Sequence, residues 1–345
     1  MKANPAKRMG TTVAALAAAA ALSACGGGGG DTERTGAHPP FGEGETVLSR
    51  IGGARSLADA TVFRTDTVAG VGAADAGPTE PLDPGRELEV RMFRAAPEER
   101  PTVAVTWNGD TVTFGPEHTP RPDVSVEYQI HCSRDTTPSQ CGETRGKGWA
   151  NYLLWTWTGG FARHADGSAP YEYHIPFSTV ISRPTEDAGH DHYLSAVIGS
   201  ETPADAPPSG TATYRGGADI RLFPPENGWG DDERFHSDLT LTAHFSGNVV
   251  EGVMDNWESG DNRDDDYSGL SYTIESAPIA GNGFTATMEP AADCGGCWPM
   301  ESSTLAGTFY GPSAEEAGGT IRLEIGEGGD RAGHFGSGVF HSRAE

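Results

Sequence analysis

Apolar and polar residues alternate most regularly in the last third of the chain. Every second residue from Leu239 to Phe245 is apolar, and the residues between them are two threonines and a histidine. Ile321, Leu323 and Ile325 repeat this alternation against polar neighbours. A period of two places successive side chains on opposite faces of a strand. The pattern therefore predicts a sheet with one buried face and one solvent-facing face.

Eight segments after Gly210 have strand-like patterns and are separated by short turns. They are Thr211–Ile220, Leu239–Ser246, Val249–Asn256, Ser271–Ser276, Gly283–Glu289, Thr304–Tyr310, Gly319–Ile325 and His334–His341. Consecutive strands joined by short turns are typical of an up-and-down barrel, which pairs its own edge strands. We predict an all-β protein with a C-terminal eight-stranded up-and-down antiparallel β-barrel, preceded by a β-rich N-terminal domain.

Residues 41–200 have a weaker pattern, which predicts a β-rich domain without specifying its fold. Val103–Trp107 and Thr111–Phe114 alternate around Asn108-Gly109, a dipeptide that tolerates positive φ. This arrangement predicts a β-hairpin. The weakly patterned segment Arg50–Ala69 predicts a short helix. We place the boundary between this domain and the barrel domain, residues 201–345, at a proline-rich stretch.

Composition excludes several classes of protein. The 48 glycines and 24 prolines among 345 residues argue against a helical bundle and for short strands with many turns. The formal net charge of −25 repels phosphate backbones, so we predict no nucleic-acid binding. The sequence contains no G-x-S-x-G, P-loop or H-E-x-x-H motif, and we predict that the protein is not an enzyme.

The start of the chain predicts export and a lipid anchor. A short basic segment precedes an Ala-rich apolar run, Thr11–Leu22, which is shorter than the ~20 residues of a membrane-spanning helix. Leu22-Ser23-Ala24-Cys25 resembles the lipobox of bacterial lipoproteins, in which the cysteine is lipidated and becomes the first mature residue. We predict a lipoprotein signal peptide over residues 1–24 and a flexible Gly-rich tether over residues 25–40. An ordinary signal peptide is the alternative.

The other four cysteines are Cys132, Cys141, Cys294 and Cys297. An exported protein meets an oxidising compartment, so we expect disulfides, and four cysteines permit three connectivities. We predict the local pairs 132–141 and 294–297, because each pair brackets a turn-rich loop. A redox site at Cys294-Gly295-Gly296-Cys297 and a four-cysteine zinc site are the alternatives.

Two segments match metal-binding patterns. Asp264, Asp266, Ser268 and Glu275, with Gly269 between them, have the spacing of a calcium loop. An EF-hand needs flanking helices, whereas the residues after Leu270 read as a strand, so a solvated acidic hairpin loop is the alternative. His190-x-His192 would place two imidazoles on one face of a strand, without an evident third ligand.

Several motifs in the C-terminal half resemble those of one known family. They are Gly199–Pro203 leading into Pro208–Gly216, Asp238–Phe245 followed by Gly247–Gly252, and Gly307-Thr308-Phe309-Tyr310-Gly311-Pro312 followed by Ala314–Glu316 and Gly318–Thr320. In order and spacing these motifs resemble the C-terminal β-barrel of transferrin-binding protein B and its relatives, which are Gram-negative surface lipoproteins. The similarity covers about residues 193–345.

The resemblance implies an eight-stranded barrel and a binding role rather than catalysis. Members of the family bind host iron proteins or other host proteins, or carry haem, and some reach the surface through a dedicated outer-membrane translocator. This chain has one such barrel rather than a pair, and transferrin itself is not carried over to it. Within the motif we expect Tyr310 to plug one barrel end, and Glu315 and Glu316 to lie in a solvated turn.

Together these observations predict a lipid-anchored lipoprotein of the bacterial outer membrane, exposed at the cell surface, that binds another molecule. The predicted role is iron or haem acquisition, or the capture of a host or environmental protein. The predicted partners are the membrane, through the lipid on Cys25, and a protein partner or an outer-membrane translocator or receptor. The sequence requires no cofactor, although calcium and haem remain open. The alternative is a structural or adhesive envelope lipoprotein with no small-molecule ligand.

Overall fold

Strands account for most of the chain that the computed structural model describes. The described residues are 55–65, 68–74, 79–81, 88–95, 102–107, 110–115, 127–132, 150–156, 171–183, 190–204, 208–226, 232–260 and 267–345. All of them belong to one compact unit, Ala37–Glu345. In these ranges no helix is long and apolar enough to cross a membrane. The predictions for residues 1–40 lie outside them.

Two antiparallel sheets precede the barrel. Their strands are β1 Thr61–Thr65, β2 Val68–Ala74, β3 Thr79–Pro81, β4 Leu88–Phe93, β5 Thr102–Trp107, β6 Asp110–Phe114, β7 Glu127–Cys132, β8 Ala150–Thr156, β9 His174–Arg183 and β10 His190–Gly199. The four-stranded sheet has the order β1-β4-β5-β6, and the six-stranded sheet has the order β3-β2-β10-β9-β8-β7. The β-rich prediction for this region is confirmed.

The hairpin prediction is confirmed, and the helix prediction is wrong for the part of its segment that the structure describes, residues 55–65 and 68–69. Strands β5 and β6 pair from Val103 with Phe114 to Trp107 with Asp110. The segment expected to contain a helix instead forms β1 and begins β2. Burial alternates at the start of Thr61–Thr65, and Phe63 packs into the apolar core. A strand buries every second residue on one face, which accounts for the strand in place of a helix.

The two N-terminal sheets face each other across an apolar core. Val90, Val105 and Phe114 of the four-stranded sheet are almost fully buried, and they share a cluster with Leu194 and Ile198 of β10. Successive residues of β10 point to opposite faces of its sheet. Every second side chain of this strand therefore faces away from the core, towards the barrel.

The C-terminal strands close into an eight-stranded antiparallel barrel, as predicted. They are β11 Thr211–Phe223, β12 Glu233–His244, β13 Val249–Ser259, β14 Tyr272–Ala280, β15 Gly283–Ala286, β16 Met288–Pro290, β17 Met300–Tyr310, β18 Glu316–Ile325 and β19 Phe335–Ala344. Strands β15 and β16 together occupy one position beside β14, and β19 pairs with β11 to close the ring. Most strands are longer than the sequence pattern indicated.

Side chains fill the barrel interior. Leu239, Leu241 and Ala243 of β12 are at most 1% exposed, and their polar neighbours face outwards, as the alternation predicted. Aromatic rings occupy the remaining space. A Cβ atom on Gly307 would lie 2.3 Å from Cζ of Phe284, so the glycine makes room for this ring.

The outer face of the six-stranded sheet packs on the barrel wall. Tyr193 of β10 contacts Phe223 of β11 with ring centroids 5.3 Å apart, and Arg221 lies 5.4 Å from the centre of the Tyr193 ring. Further along the strand, Val197 packs against Val339 of β19. The six-stranded sheet is therefore a middle layer, covered by the four-stranded sheet on one side and by the barrel on the other.

A buried carboxylate joins the start of β9 to the barrel. Glu316 is 0% exposed and accepts hydrogen bonds from the N–H groups of Glu172 and Tyr173, at 2.7 and 2.9 Å. Nδ1 of His174 lies 2.9 Å from the same carboxylate. Burial alone would raise the pKa of Glu316, but these hydrogen bonds and the imidazole outweigh it and lower the pKa.

Two expectations about the motif around these residues are wrong. Glu316 begins β18 and is fully buried rather than in a solvated turn, whereas Glu315 lies in the turn and is partly exposed. Tyr310 does not plug the barrel, because Phe309 points inwards and alternation turns the next side chain outwards. Its ring instead stacks on His174, with centroids 5.1 Å apart.

Candidate binding site at one end of the barrel

The connections at one barrel end are longer than those at the other. We call the end that carries the β11–β12, β13–β14, β16–β17 and β18–β19 connections the mouth. The opposite end has the tight turns after β12, β14 and β17. Long connections on a rigid scaffold are where binding residues concentrate, since they vary without disturbing the sheet. The mouth is therefore the end of the barrel where a binding site is expected.

A cleft of about 430 Å³ lies at the mouth. It is lined by Tyr267, Gly269, Leu270, Gly296, Trp298, Asp330 and Arg331. The β13–β14, β16–β17 and β18–β19 connections each supply part of this lining. The volume lies within the range of ligand-binding clefts, and the lining combines aromatic rings, exposed glycine backbone and a buried charge.

Arg331 ties the cleft together. Its Nε and one terminal nitrogen donate hydrogen bonds to Glu233 at 2.9 and 2.7 Å, and that nitrogen also donates to the Tyr267 hydroxyl at 2.8 Å. The other terminal nitrogen pairs with Asp330. Burial would lower the pKa of Arg331, but the two carboxylates outweigh it and raise the pKa. The guanidinium is therefore charged, buried and neutralised.

Arg331 also lies against two ring faces. The guanidinium carbon is 5.4 Å from the centre of the Tyr267 ring and 5.3 Å from that of Trp298. Both distances are within the range of cation–π contacts, which strengthen when they are desolvated. One arginine therefore fixes the positions of both aromatic side chains of the cleft.

A disulfide and a buried hydroxyl fix the backbone position of Trp298. Cys294 and Cys297 form a disulfide, and the Ser271 N–H donates to Sγ of Cys297 at 3.2 Å. The Trp298 N–H donates to the Tyr272 hydroxyl at 3.0 Å. Burial raises the pKa of Tyr272 to about 12, so its hydroxyl remains protonated. The β16–β17 connection is thus fastened to the start of β14.

Aromatic rings form the floor of the cleft. Phe235 meets Tyr267 and Trp298 edge-on, with centroids 5.1 and 5.3 Å apart, and Trp257 meets Tyr272 edge-on at 5.4 Å. Such edge-to-face pairs add stability beyond the area that they bury. These rings belong to the buried core of the barrel, so the aromatic lining of the cleft continues into that core.

The predicted calcium loop is only partly described. Asp264 and Asp266 lie outside the described residues, whereas Ser268 lies at the mouth and Glu275 is an exposed residue of β14. Glu275 accepts a hydrogen bond from the Thr287 hydroxyl. Among the residues that the structure describes, no three carboxylate, imidazole or thiol groups converge on one point. The calcium loop therefore stays a prediction.

The remaining predicted site residues lie apart from the cleft or outside the description. Cys25 and Cys141 are outside it, and Cys132 ends β7. His190 and His192 lie two positions apart in β10. The structure contains the 294–297 disulfide next to the cleft. The 132–141 pair and the lipidation of Cys25 stay predictions.

Sequence reasoning missed the main cleft residues. Tyr267, Trp298 and Arg331 are separated by about thirty residues each, and no motif connects them. One signal was available, because Trp298 directly follows the CxxC segment whose disulfide fixes its backbone. Arg331 stands among glycines without any pattern that would pair it with Glu233.

One family of protein domains matches the barrel. Residues 206–339 match the family described as the C-lobe and N-lobe beta barrels of Tf-binding protein B. No curated protein sequence matches the chain. The match begins just before β11 and ends within β19, so it covers the whole ring of strands and the connections that form the cleft.

Similar solved structures include three bacterial proteins. A variant of transferrin-binding protein B from Haemophilus parasuis is 15% identical, covers 78% of this chain and 58% of its own, and has a TM-score of 0.36. HpuA from Kingella denitrificans, in complex with human haemoglobin, is 13% identical, covers 83% of this chain and 87% of its own, and has a TM-score of 0.37. Isotype 1 transferrin-binding protein B from Neisseria meningitidis is 15% identical, covers 78% of this chain and 59% of its own, and has a TM-score of 0.31.

The chain spans 58% of the length of the Haemophilus parasuis protein. The family match itself is limited to the barrel, residues 206–339. The closed eight-stranded ring and the match over residues 206–339 agree on the same segment. The C-terminal barrel of this chain therefore matches, over residues 206–339, the β-barrel domains of transferrin-binding protein B.

Proposed function

We propose that this protein is a lipid-anchored bacterial surface lipoprotein that captures another protein. The capture serves iron or haem acquisition, or it recruits a protein of the host or the environment. The observation that carries the proposal is the family match of the barrel. The lipobox-like segment ending at Cys25 supports the anchor, and the outer membrane is its proposed location. HpuA, which was solved in complex with human haemoglobin, supports a protein partner.

The mouth cleft is the proposed contact site. Tryptophan, tyrosine and arginine are the residues that most often dominate binding energy at interfaces, and all three line it. Rigid placement lowers the entropic cost of binding, and Arg331 and the disulfide supply this rigidity. The buried charges of the cleft are already paired with each other, which supports a binding surface rather than a catalytic centre.

The anchor is tested by replacing Cys25 with serine in the full chain expressed in its own host. We expect the variant to leave the membrane fraction, because the thiol that accepts the lipid is absent. Ser23→Ala is the control, since it retains the cysteine and a small residue in the lipobox. A Cys25→Ser variant that still fractionates with the envelope would contradict the lipid anchor.

The binding role is tested with the mature chain and two probes, human haemoglobin and human transferrin, by surface plasmon resonance. Gly296→Tyr places a ring in the cleft, and Gly295→Tyr places it on the same loop outside the lining. A Cβ atom at either glycine meets nothing within 4 Å, so neither variant strains the fold. We expect Gly296→Tyr to weaken binding at least tenfold and Gly295→Tyr to leave it unchanged.

Three outcomes are distinguishable. Selective loss with Gly296→Tyr supports capture through the cleft. Equal binding by both variants would place the contact elsewhere on the protein. Failure of the wild-type chain to bind either probe would count against iron-protein capture and favour the structural or adhesive envelope role.

A further inference from the structure

We infer that the partner presents a cationic face, rich in arginine and lysine, to the mouth cleft. This inference rests on the proposed function and adds the chemistry of the partner. It follows from the charges that the mouth exposes and from those that it has already neutralised.

Carboxylates are exposed on the described parts of the mouth connections. Glu226, Asp293 and Glu327 lie on three of the mouth connections and are exposed, and no ion pair joins them to a cation within the described ranges. The side chain of Asp330 is 75% exposed at the edge of the cleft. A partner that covered these groups with apolar or acidic surface would desolvate or repel them at a cost.

The arginines that the structure describes at this end of the barrel are occupied. Arg331 is neutralised by Glu233 and Asp330 and is only 7% exposed. Arg221 pairs with Asp232 at 2.7 Å, and Arg234 pairs with Asp219. These internal pairs leave the arginines no excess charge to offer a partner. The surplus at the mouth is therefore negative.

The composition of the barrel domain extends this imbalance. Residues 201–345 contain 25 aspartates and glutamates, seven arginines and no lysine. Complementary potentials steer encounter and disfavour partners of like charge. This surplus of negative charge repels an anionic partner and attracts a cationic one.

Three glycines at the mouth leave room for the long side chains of a partner to reach its carboxylates. A Cβ atom at Gly269, Gly296 or Gly329 would meet no atom within 4 Å, so these glycines lie open to an approaching group. Carboxylates accept hydrogen bonds, while arginine and lysine side chains are donors without acceptors. Charge and hydrogen bonding thus favour the same partner chemistry.

The test compares two triple variants of the mature chain. The mouth variant carries Glu226→Gln, Asp293→Asn and Glu327→Gln. The opposite-end variant carries Glu201→Gln, Glu251→Gln and Glu315→Gln, and it changes the net charge by the same amount. All six residues are exposed or partly exposed, so both variants should keep the wild-type unfolding midpoint, which is checked first.

The probe is lysozyme, a small basic protein, and its succinylated form is the control with the same fold and reversed charge. We expect the mouth variant to bind lysozyme about tenfold more weakly and the opposite-end variant to stay within twofold. Wild-type binding should fall steeply between 50 and 200 mM salt, and succinylated lysozyme should not bind. Equal losses in both triple variants, or no loss in the mouth variant, would overturn the inference.

This result is separable from the proposed function. A chain that binds haemoglobin through the cleft, with no effect of salt or of the mouth charges, would refute the cationic partner and leave capture intact. A chain that binds lysozyme at the mouth but neither iron protein would support the partner chemistry and refute the iron-protein role.

Discussion

Replacing Glu316 with glutamine should destabilise the protein, because this carboxylate joins the barrel to the six-stranded sheet. Its oxygens accept from the N–H groups of Glu172 and Tyr173, and His174 contacts the same carboxylate. Glutamine has nearly the same shape but keeps only one acceptor oxygen. Its amide group would point a donor at one of the existing donors.

The size of the effect follows from these contacts. One buried donor left without an acceptor costs about 1–3 kcal/mol, and each of the other two bonds loses roughly 1 kcal/mol when the acceptor loses its charge. Because Glu316 is 0% exposed, water cannot replace the missing partner. We therefore expect the free energy of unfolding to fall by about 3 kcal/mol.

The assay is reversible denaturant unfolding of the mature chain, followed by tryptophan fluorescence. Glu315→Gln is the matched control, because this adjacent residue is partly exposed and accepts one hydrogen bond, from the Ser313 N–H at 2.9 Å. We expect the control to change stability by less than about 0.5 kcal/mol. If both variants behaved alike, or if Glu316→Gln cost less than about 1 kcal/mol, the proposed joint would be refuted.

Three further predictions concern pH and packing. The pKa of Glu316 is lowered from 4.5 in the folded protein, so the stability that the Glu316 carboxylate contributes is complete above pH 4.5 and is lost as the pH falls through the folded pKa. The difference in unfolding free energy between wild type and Glu316→Gln should therefore shrink on acidification, as measured by unfolding from pH 7 to pH 3. Arg331→Lys should lower the free energy of unfolding by about 1–3 kcal/mol in denaturant, since lysine lacks the planar guanidinium that donates two hydrogen bonds to Glu233. The control Arg215→Lys, in an exposed ion pair, should lower it by less than about 0.5 kcal/mol. Gly307→Ala should lower stability by about 1–3 kcal/mol by calorimetry, because its methyl group would overlap the Phe284 ring, whereas Gly269→Ala, which meets open space, should change it by less than about 0.5 kcal/mol.

The barrel was predictable because its information is local. Each strand carries its own alternation, so Leu239–Phe245 indicates a half-buried strand without reference to the rest of the chain. The strand ends were less predictable. Strand β11 continues to Phe223 and β12 begins at Glu233, beyond the alternating segments, because pairing with β19 and β13 extends the ladder through residues with no apolar pattern.

The roles of Tyr310 and Glu316 were not predictable from the chain alone. A glycine-rich turn that contains two glutamates normally lies in solvent. Glu316 is buried because three donors from Glu172, Tyr173 and His174, more than 140 residues earlier, converge on it. Tyr310 faces outwards because Phe309 faces inwards, and its partner Val197 belongs to another sheet. Such contacts depend on how layers pack, which periodicity does not encode.

The family motifs and the cleft residues lie at opposite ends of the barrel. The motifs that carry the family resemblance lie at the end opposite the mouth, where the Thr202 hydroxyl donates to the Gly311 carbonyl at 2.8 Å and Glu316 holds the N-terminal segment. These contacts are internal, so they do not depend on what the protein binds. Trp298 and Arg331 lie at the mouth, outside those motifs. Residues at the mouth can therefore vary without weakening the joint that holds the fold together, which is why the motifs identify the barrel but carry no information about the proposed contact site.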